Sequence, residues 1–240
     1  MFGNSQPVTS NQNGPHADLL KTVERHCQTR FRKPASPHTR QAFGQMLSHW
    51  HRMGQPPLVL DAGCGVGWST LTLAQRHPDQ LVIGVDQSAE RLRRGPDGQA
   101  GNPDNLLLLR ADLVDFWRLL AAEGCTLDYH YLLYPNPWPR KQHLGRRWHG
   151  HPVFPAIATL GGKIECRSNW LIYLEEFAAA LSHLTGATAE VTQWLPKDDQ
   201  VLTPFEAKYR ASGHALWRYC TRLPPIRAFH RNTVAATMLP

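Results

Sequence analysis

Residues 58–67 read LVLDAGCGVG and residues 81–86 read LVIGVD. The first is a short apolar run closed by a glycine-rich turn. The second is another apolar run that ends on a carboxylate. Between them, residues 68–76 carry helical patterning. Glycines in such a turn let the backbone bend sharply and let a ligand press against main-chain N–H groups. The alternation continues outward. Apolar runs at 106–109, 127–134 and 163–166 predict further strands, and 189–195 and 214–222 predict two closing ones. Helices are predicted over 88–94, capped by Ser88, and over 113–122, 170–184 and 203–213. Strands alternating with helices of about ten residues make βαβ units and a mostly parallel sheet. Continuous Val/Ile/Leu runs suit strands covered on both faces. Ligands in such sheets sit outside the carboxyl ends of the strands, where strand order reverses.

The residues at those ends have a chemical pattern. Asp61 directly precedes Gly63, Gly65 and Gly67. A carboxylate there repels a pyrophosphate and attracts an ammonium. Asp86 ends the second strand, where a carboxylate can accept both hydroxyls of a ribose. Asp112 follows the third strand, a place suited to an adenine amino group. Ammonium, ribose and adenine together describe S-adenosylmethionine better than NAD. Ordinary strand-end and helix-cap roles stay open for Asp86 and Asp112.

Composition sets the frame around this. The chain has 240 residues with 26 Lys+Arg, 19 Asp+Glu and a formal charge of +7, enough for one large domain with a full core. No apolar run reaches the roughly 18 residues of a membrane span. The first sixteen residues, MFGNSQPVTSNQNGPH, have neither a basic nor an apolar region of a secretory signal and are expected to be a disordered tail. Residues 17–56 form a basic, helical N-terminal extension, with helical spacing of Phe43, Met46, Leu47 and Trp50. The α/β domain is expected over 57–223, with a C-terminal extension at 224–240. The five cysteines are scattered and make no CxxC pair, so a reducing cytoplasm is the expected compartment and no zinc ribbon is expected. The three histidines of the loop from 140 to 151 lack a carboxylate or thiolate at ligand spacing, so no metal is expected.

That loop narrows the reading. Residues 134–155, YPNPWPRKQHLGRRWHGHPVFP, resemble the P-D-P-W-x-K-x-x-H-x-x-R-R signature of the bacterial tRNA (guanine-N7)-methyltransferases. These are class I S-adenosylmethionine-dependent methyltransferases. Thr203-Pro204-Phe205-Glu206-Ala207-Lys208, followed by Gly213 and Trp217, is similar to the family's T-x-[FY]-E-x-K…G…W stretch. With the glycine turn, the resemblance covers roughly residues 35 to 222. Asn136 stands where the motif has Asp, Arg140 where it has Lys, and Ser168-Asn169-Trp170 where it has T-D-W.

The resemblance implies a Rossmann-like α/β fold with a seven-stranded sheet and an antiparallel last strand. It implies S-adenosylmethionine held by Asp61, Gly63, Gly65, Gly67, Asp86, Asp112 and Asn136. It implies methyl transfer to guanine N7 of tRNA, with Asn136 as the catalytic group. Arg140, Asn169, Thr203, Phe205 and Glu206 are expected around the substrate, and Arg146 and Arg147 on phosphates. Thr203 and Glu206 also fit a helix capping box. Two alternatives stay open: an RNA- and cofactor-binding protein that has lost catalysis, and a methyltransferase of another RNA base or a small molecule. Monomer and homodimer are both compatible with the sequence.

Overall fold

The structure is a computed structural model, and it describes residues 3–96 and 102–224. Seven strands form one sheet: β1 (Leu58–Ala62), β2 (Leu81–Asp86), β3 (Leu106–Arg110), β4 (Tyr129–Leu133), β5 (Gly162–Ser168), β6 (Val191–Gln193) and β7 (Trp217–Leu223). Their order is β3-β2-β1-β4-β5-β7-β6. The first five are parallel, and β7 runs antiparallel to both β5 and β6. This is the expected class I methyltransferase sheet. The chain steps from β1 outward to β3 and then returns to β4 on the other side of β1, so the reversal of strand order lies between β1 and β4.

β1 and β2 are buried along their whole length, as a sheet covered on both faces requires. Leu58 and Leu60 join the larger core, which holds Phe116, Trp117, Phe154, Phe177 and Tyr219. Val59 and Val82 point the other way, onto Leu73 and Ala74 of α3 (Trp68–Arg76). Gly84 lets α3 come close: a Cβ there would sit 2.4 Å from Thr70 Oγ1 and 2.6 Å from Leu108 Cδ2.

The remaining helices are α1 (Leu19–Gln28), α2 (Pro37–Arg52), α4 (Ala89–Arg93), α5 (Leu113–Ala122), α6 (Phe154–Thr159), α7 (Leu171–Thr185) and α8 (Pro204–Ala211). Local chemistry sets their starts. Ser88, Asp112 and Thr203 each accept a backbone N–H in the first turn of α4, α5 and α8. Proline opens α2 and α8. The long basic loop contains two 3-10 turns, at Lys141–Arg146 and Trp148–Gly150, which the sequence reading did not resolve.

Residues 3–16, read as a disordered tail, run as an extended strap packed on the domain, and Gln12 is buried there. The physical reason is long-range: Gln12 donates to Glu176 on α7 and accepts from Arg147. The C-terminal extension beyond Pro224 lies outside the described residues, as does part of the loop before β3.

Candidate active site at the carboxyl edge of the sheet

β1 delivers Asp61 to the carboxyl edge of the sheet, and the turn after it is tied down by the next strand. Gly63 N–H and Cys64 N–H both donate to Val85 O, at 2.9 and 3.1 Å. Gly63, Gly65 and Gly67 have φ of +80°, +62° and +84°, a region that favours glycine. A Cβ on Gly65 would meet nothing within 4 Å, and one on Gly63 only Leu113 Cδ1 at 3.8 Å. The turn therefore presents bare backbone to open space, as a cofactor pressed against it requires. Gly67 is different: its Cβ would strike Leu108 at 2.8 Å, so that glycine serves packing.

Asp61 is buried, and its Oδ2 accepts from Ser69 Oγ at 2.6 Å and Thr70 Oγ1 at 2.7 Å. Oδ1 accepts no hydrogen bond among the described residues. Burial pushes the carboxyl up to about 6, the two hydroxyls pull it down, and the nearby Asp86 charge adds to the rise. A cationic ammonium beside it would reverse that effect and favour the ionised form.

Asp86, at the end of β2, has both oxygens engaged. Oδ2 accepts from Gly65 N at 3.1 Å and Arg91 Nη1 at 3.1 Å, and Oδ1 accepts from Ser88 N at 2.8 Å. Arg91 is half exposed, so it is the most accessible of the Asp86 partners. Asp112 is the N-cap of α5: Oδ1 accepts from Val114 N and Asp115 N, while its own N–H donates to Thr39 Oγ1 on α2. The cap role expected as an alternative is therefore real.

The loop after β4 carries Asn136, exposed and on the same sheet edge because β4 pairs in parallel with β1. Tyr134 and Trp138 flank it with φ of +54° and +45°. For large side chains these conformations cost of order 1–3 kcal/mol each and persist only where surrounding contacts hold them. The contacts are present. Tyr134 Oη donates to Glu206 Oε1 at 2.8 Å. Arg147 donates to Trp138 O at 3.1–3.2 Å and to Arg140 O at 3.2 Å. Arg146 stacks over the Trp138 ring at 4.7 Å. The Asn136 side chain accepts only a long 3.3 Å bond from Trp138 N.

Two of the expected substrate contacts, Arg147 and Glu206, are buried and paired inside the protein. Arg147 is fully buried, with Nη1 on Glu176 Oε2 at 2.5 Å. Burial alone would raise the Glu176 carboxyl, but hydrogen bonds and charge from His149 and Arg147 hold it at about 2. Burial lowers the His149 pKa while Glu176 raises it, and His149 Nε2–H donates to Glu176 Oε2 at 2.8 Å. Glu206 is also fully buried and saturated. It accepts from Tyr134, Trp194 and Leu202 N, and both of its oxygens accept from Arg167. The cap at α8 is Thr203 Oγ1, which accepts Glu206 N at 3.0 Å.

Arg140 and Arg146 are exposed, and Phe205 is 57% exposed at the start of α8. Asn169, just past β5, donates to His214 Nδ1 at 3.1 Å. Sequence reasoning missed Arg91, Arg167, Glu176 and His214. Glu176 had a signal, a carboxylate inside the apolar pattern of α7, and so did Arg167, a cation on a buried strand. A separate apolar cavity of about 390 Å³ between α1, α2, α5 and α6 is lined by none of the expected site residues. Among the described residues, no three His, Cys, Asp or Glu side chains gather as a metal would need, and no helix is long and apolar enough to cross a membrane.

Comparison with known proteins agrees with this geometry. The Methyltransf_4 methyltransferase family model matches residues 55–219. The tRNA (guanine-N(7)-)-methyltransferase of Acidovorax sp. (strain JS42) is 31% identical over 176 residues, covering 67% of this chain and 66% of that protein. The proteins of the same name from Photobacterium profundum and Yersinia pestis are 27% and 26% identical, covering 73% and 68% of this chain and 75% and 71% of their own lengths. Among solved structures, the 16S rRNA methyltransferase KamB superposes with a TM-score of 0.55 at 17% identity, over 80% of this chain and 96% of its own. A mutant of the 16S rRNA (adenine(1408)-N(1))-methyltransferase from Catenulisporales acidiphilia, solved with its cosubstrate S-adenosylmethionine, superposes with 0.54 at 18%, over 75% and 92%. A bare glycine turn flanked by Asp61 and Asp86 at the strand-order reversal, and a family match over residues 55–219, lead to one assignment: the chain belongs to the Methyltransf_4 family of class I methyltransferases and uses S-adenosylmethionine.

Proposed function

We propose that the protein transfers a methyl group to N7 of a guanine in tRNA. The observation that carries this reading is the loop after β4, where exposed Asn136 is followed by exposed Arg140, Lys141 and Arg146 on the edge that holds the cofactor turn. The names of the relatives at 26–31% identity support it.

When bound, S-adenosylmethionine supplies an electrophilic methyl group on a sulfonium. Guanine N7 offers a lone pair and carries no proton, so no general base has to act. Alignment is the main task, and in ideal cases it lowers a barrier by up to about 7–11 kcal/mol. Asp61 and the Gly63–Gly65 backbone hold the amino-acid part of the cofactor, and Asp86 holds its ribose. Asn136 orients the base through its carboxamide, which the weak bond to Trp138 N leaves available. The methylated base is cationic. Asn136 offers it a dipole and no charge, which gives less stabilisation than a carboxylate would. Arg140 approaches the substrate and Arg146 a phosphate, while Asn169 and Phe205 form the rim. Arg147 and Glu206 act indirectly, by holding the strained loop in place.

The test is transfer of labelled methyl from S-adenosylmethionine into total tRNA, with 16S rRNA and small-molecule pools as competitors. Incorporation into tRNA supports the reading, and incorporation only into another pool overturns it. A second reading, cofactor and RNA binding with little turnover, rests on Asn136 and Asn169 standing where the motif has carboxylates. A silent native protein that gains guanine methylation through Asn136→Asp and Asn169→Asp would establish it.

A further inference from the structure

The polar N-terminal segment runs along the Asn136 loop. Ser5 N–H donates to Ser212 Oγ after α8, and Ser5 O accepts from His214 Nε2. Farther along, Ser10 Oγ donates to Pro139 O at 2.6 Å, and Asn11 Oδ1 accepts from Lys141 N at 3.0 Å. Gln12 then enters the buried cluster: Nε2 donates to Glu176 Oε1 at 2.6 Å, and Oε1 accepts from Arg147 Nη2 at 3.0 Å. His16 N–H adds a second bond to the same carboxylate. One ion pair, Arg147–Glu176, therefore anchors both the strap and the loop that carries Asn136.

Between strap and loop lies an open cleft of about 490 Å³, lined by Thr9, Ser10, Asn11, Arg140 and Gln142. All five residues are exposed. The Arg140 guanidinium makes no ion pair or hydrogen bond among the described residues, and neither does Asn11 Nδ2. The lining offers one cation, hydroxyls and amides, and no carboxylate. That set matches a phosphate flanked by sugar hydroxyls.

We propose that the N-terminal strap and Arg140 together form a binding cleft for the sugar-phosphate chain of the RNA beside its target base, with Gln12 as the latch that fixes the strap. The proposal rests on the RNA reading given above and extends it to residues 9–12, outside the region matched by the family model. Anchoring the strap and the catalytic loop to one ion pair fixes the distance between the phosphate-binding groups and Asn136.

Asn11→Asp tests this with little disturbance. The new carboxylate keeps the acceptor for Lys141 N–H and adds one negative charge to the cleft. Thr188→Asp makes the same change in net charge at an exposed site after α7. That helix runs 15 residues back from the carboxyl edge, about 22 Å at 1.5 Å per residue, beyond the Debye length of about 10 Å at 0.1 M salt. Binding of total tRNA at 0.1 M salt should weaken about five- to tenfold in Asn11→Asp. The slope of log K against log salt should shrink by about 0.7–0.9, the loss of one phosphate contact. Thr188→Asp should stay within about twofold of the native protein. S-adenosylhomocysteine affinity and melting temperature should be unchanged in both. Equal tRNA affinity in the two variants overturns the cleft while leaving the substrate assignment standing. Absence of tRNA binding by the native protein overturns the substrate assignment itself, and the cleft with it.

Discussion

Replacing Asp61 by asparagine should separate cofactor affinity from folding stability. Burial raises this carboxyl from 3.8 to about 6 in the folded protein. That gap of about 2.2 corresponds to about 3 kcal/mol of stability forfeited by the ionised carboxylate at neutral pH. The sign follows from the raised value: the protonated form stabilises the fold below about pH 4, and that contribution is lost as pH climbs through about 6. The carboxamide of Asp61→Asn carries no such penalty and keeps an acceptor for Ser69 and Thr70. It also brings a buried NH2 group, which costs about 1–3 kcal/mol if unpaired. The two effects offset, so the melting temperature at pH 7.5 should stay within about 4 °C of the native value. The cofactor ammonium loses its charged partner, worth about 2–3 kcal/mol, so S-adenosylhomocysteine should bind about 30- to 100-fold more weakly. Native affinity should rise as pH passes about 6, and the variant's should not. Calorimetric titration and differential scanning calorimetry read both quantities. A variant that melts more than about 10 °C lower yet binds S-adenosylhomocysteine normally would refute the reasoning and make Asp61 a scaffold acid.

Other expectations follow from the same geometry. Arg147→Ala leaves Glu176 buried without its cation and should cost about 3–5 kcal/mol in thermal or denaturant unfolding. The neighbouring Arg146→Ala should leave stability nearly unchanged and lower the tRNA salt slope by about 0.7–0.9 in a binding titration. Glu176, held at about 2 against an ordinary 4.5, stabilises the fold above about pH 4.5. That contribution should disappear as pH falls towards 2, and Glu176→Gln should remove this part of the acid unfolding profile. Arg91 is half exposed on Asp86, and such a pair is worth at most about 1 kcal/mol. Arg91→Ala should therefore tighten S-adenosylhomocysteine binding by up to about fivefold, and a weakening would mean that Arg91 itself contacts the cofactor.

Elements set by local chemistry were legible in the sequence. The apolar runs became β1 to β5, Ser88 caps the helix it was expected to cap, Asp112 and Thr203 fill the cap roles that the sequence left open, and Asp61 and Asp86 sit at the turn and strand end. What the sequence hid depends on distant partners. Arg146 and Arg147 are adjacent and chemically identical, yet one is exposed and the other buried. The choice is made by Glu176, which lies on α7 and, of the two arginines, pairs with Arg147. Gln12 looked like one polar residue in a polar tail, because its burial requires that same carboxylate. Glu206 had the spacing of a capping partner, but its side chain is taken by Arg167, Tyr134 and Trp194. Tertiary pairing decides between exposed and buried charge, and no local pattern records it.

The measurement closest to the central claim is the identity of the methylated nucleoside. Unmodified tRNA transcripts incubated with the protein and labelled S-adenosylmethionine, then digested and separated, should yield label in 7-methylguanosine alone. Asn136→Ala should abolish that label while S-adenosylhomocysteine still binds. Label in a methylated adenosine or cytidine, or in guanosine methylated at another position, would contradict the account.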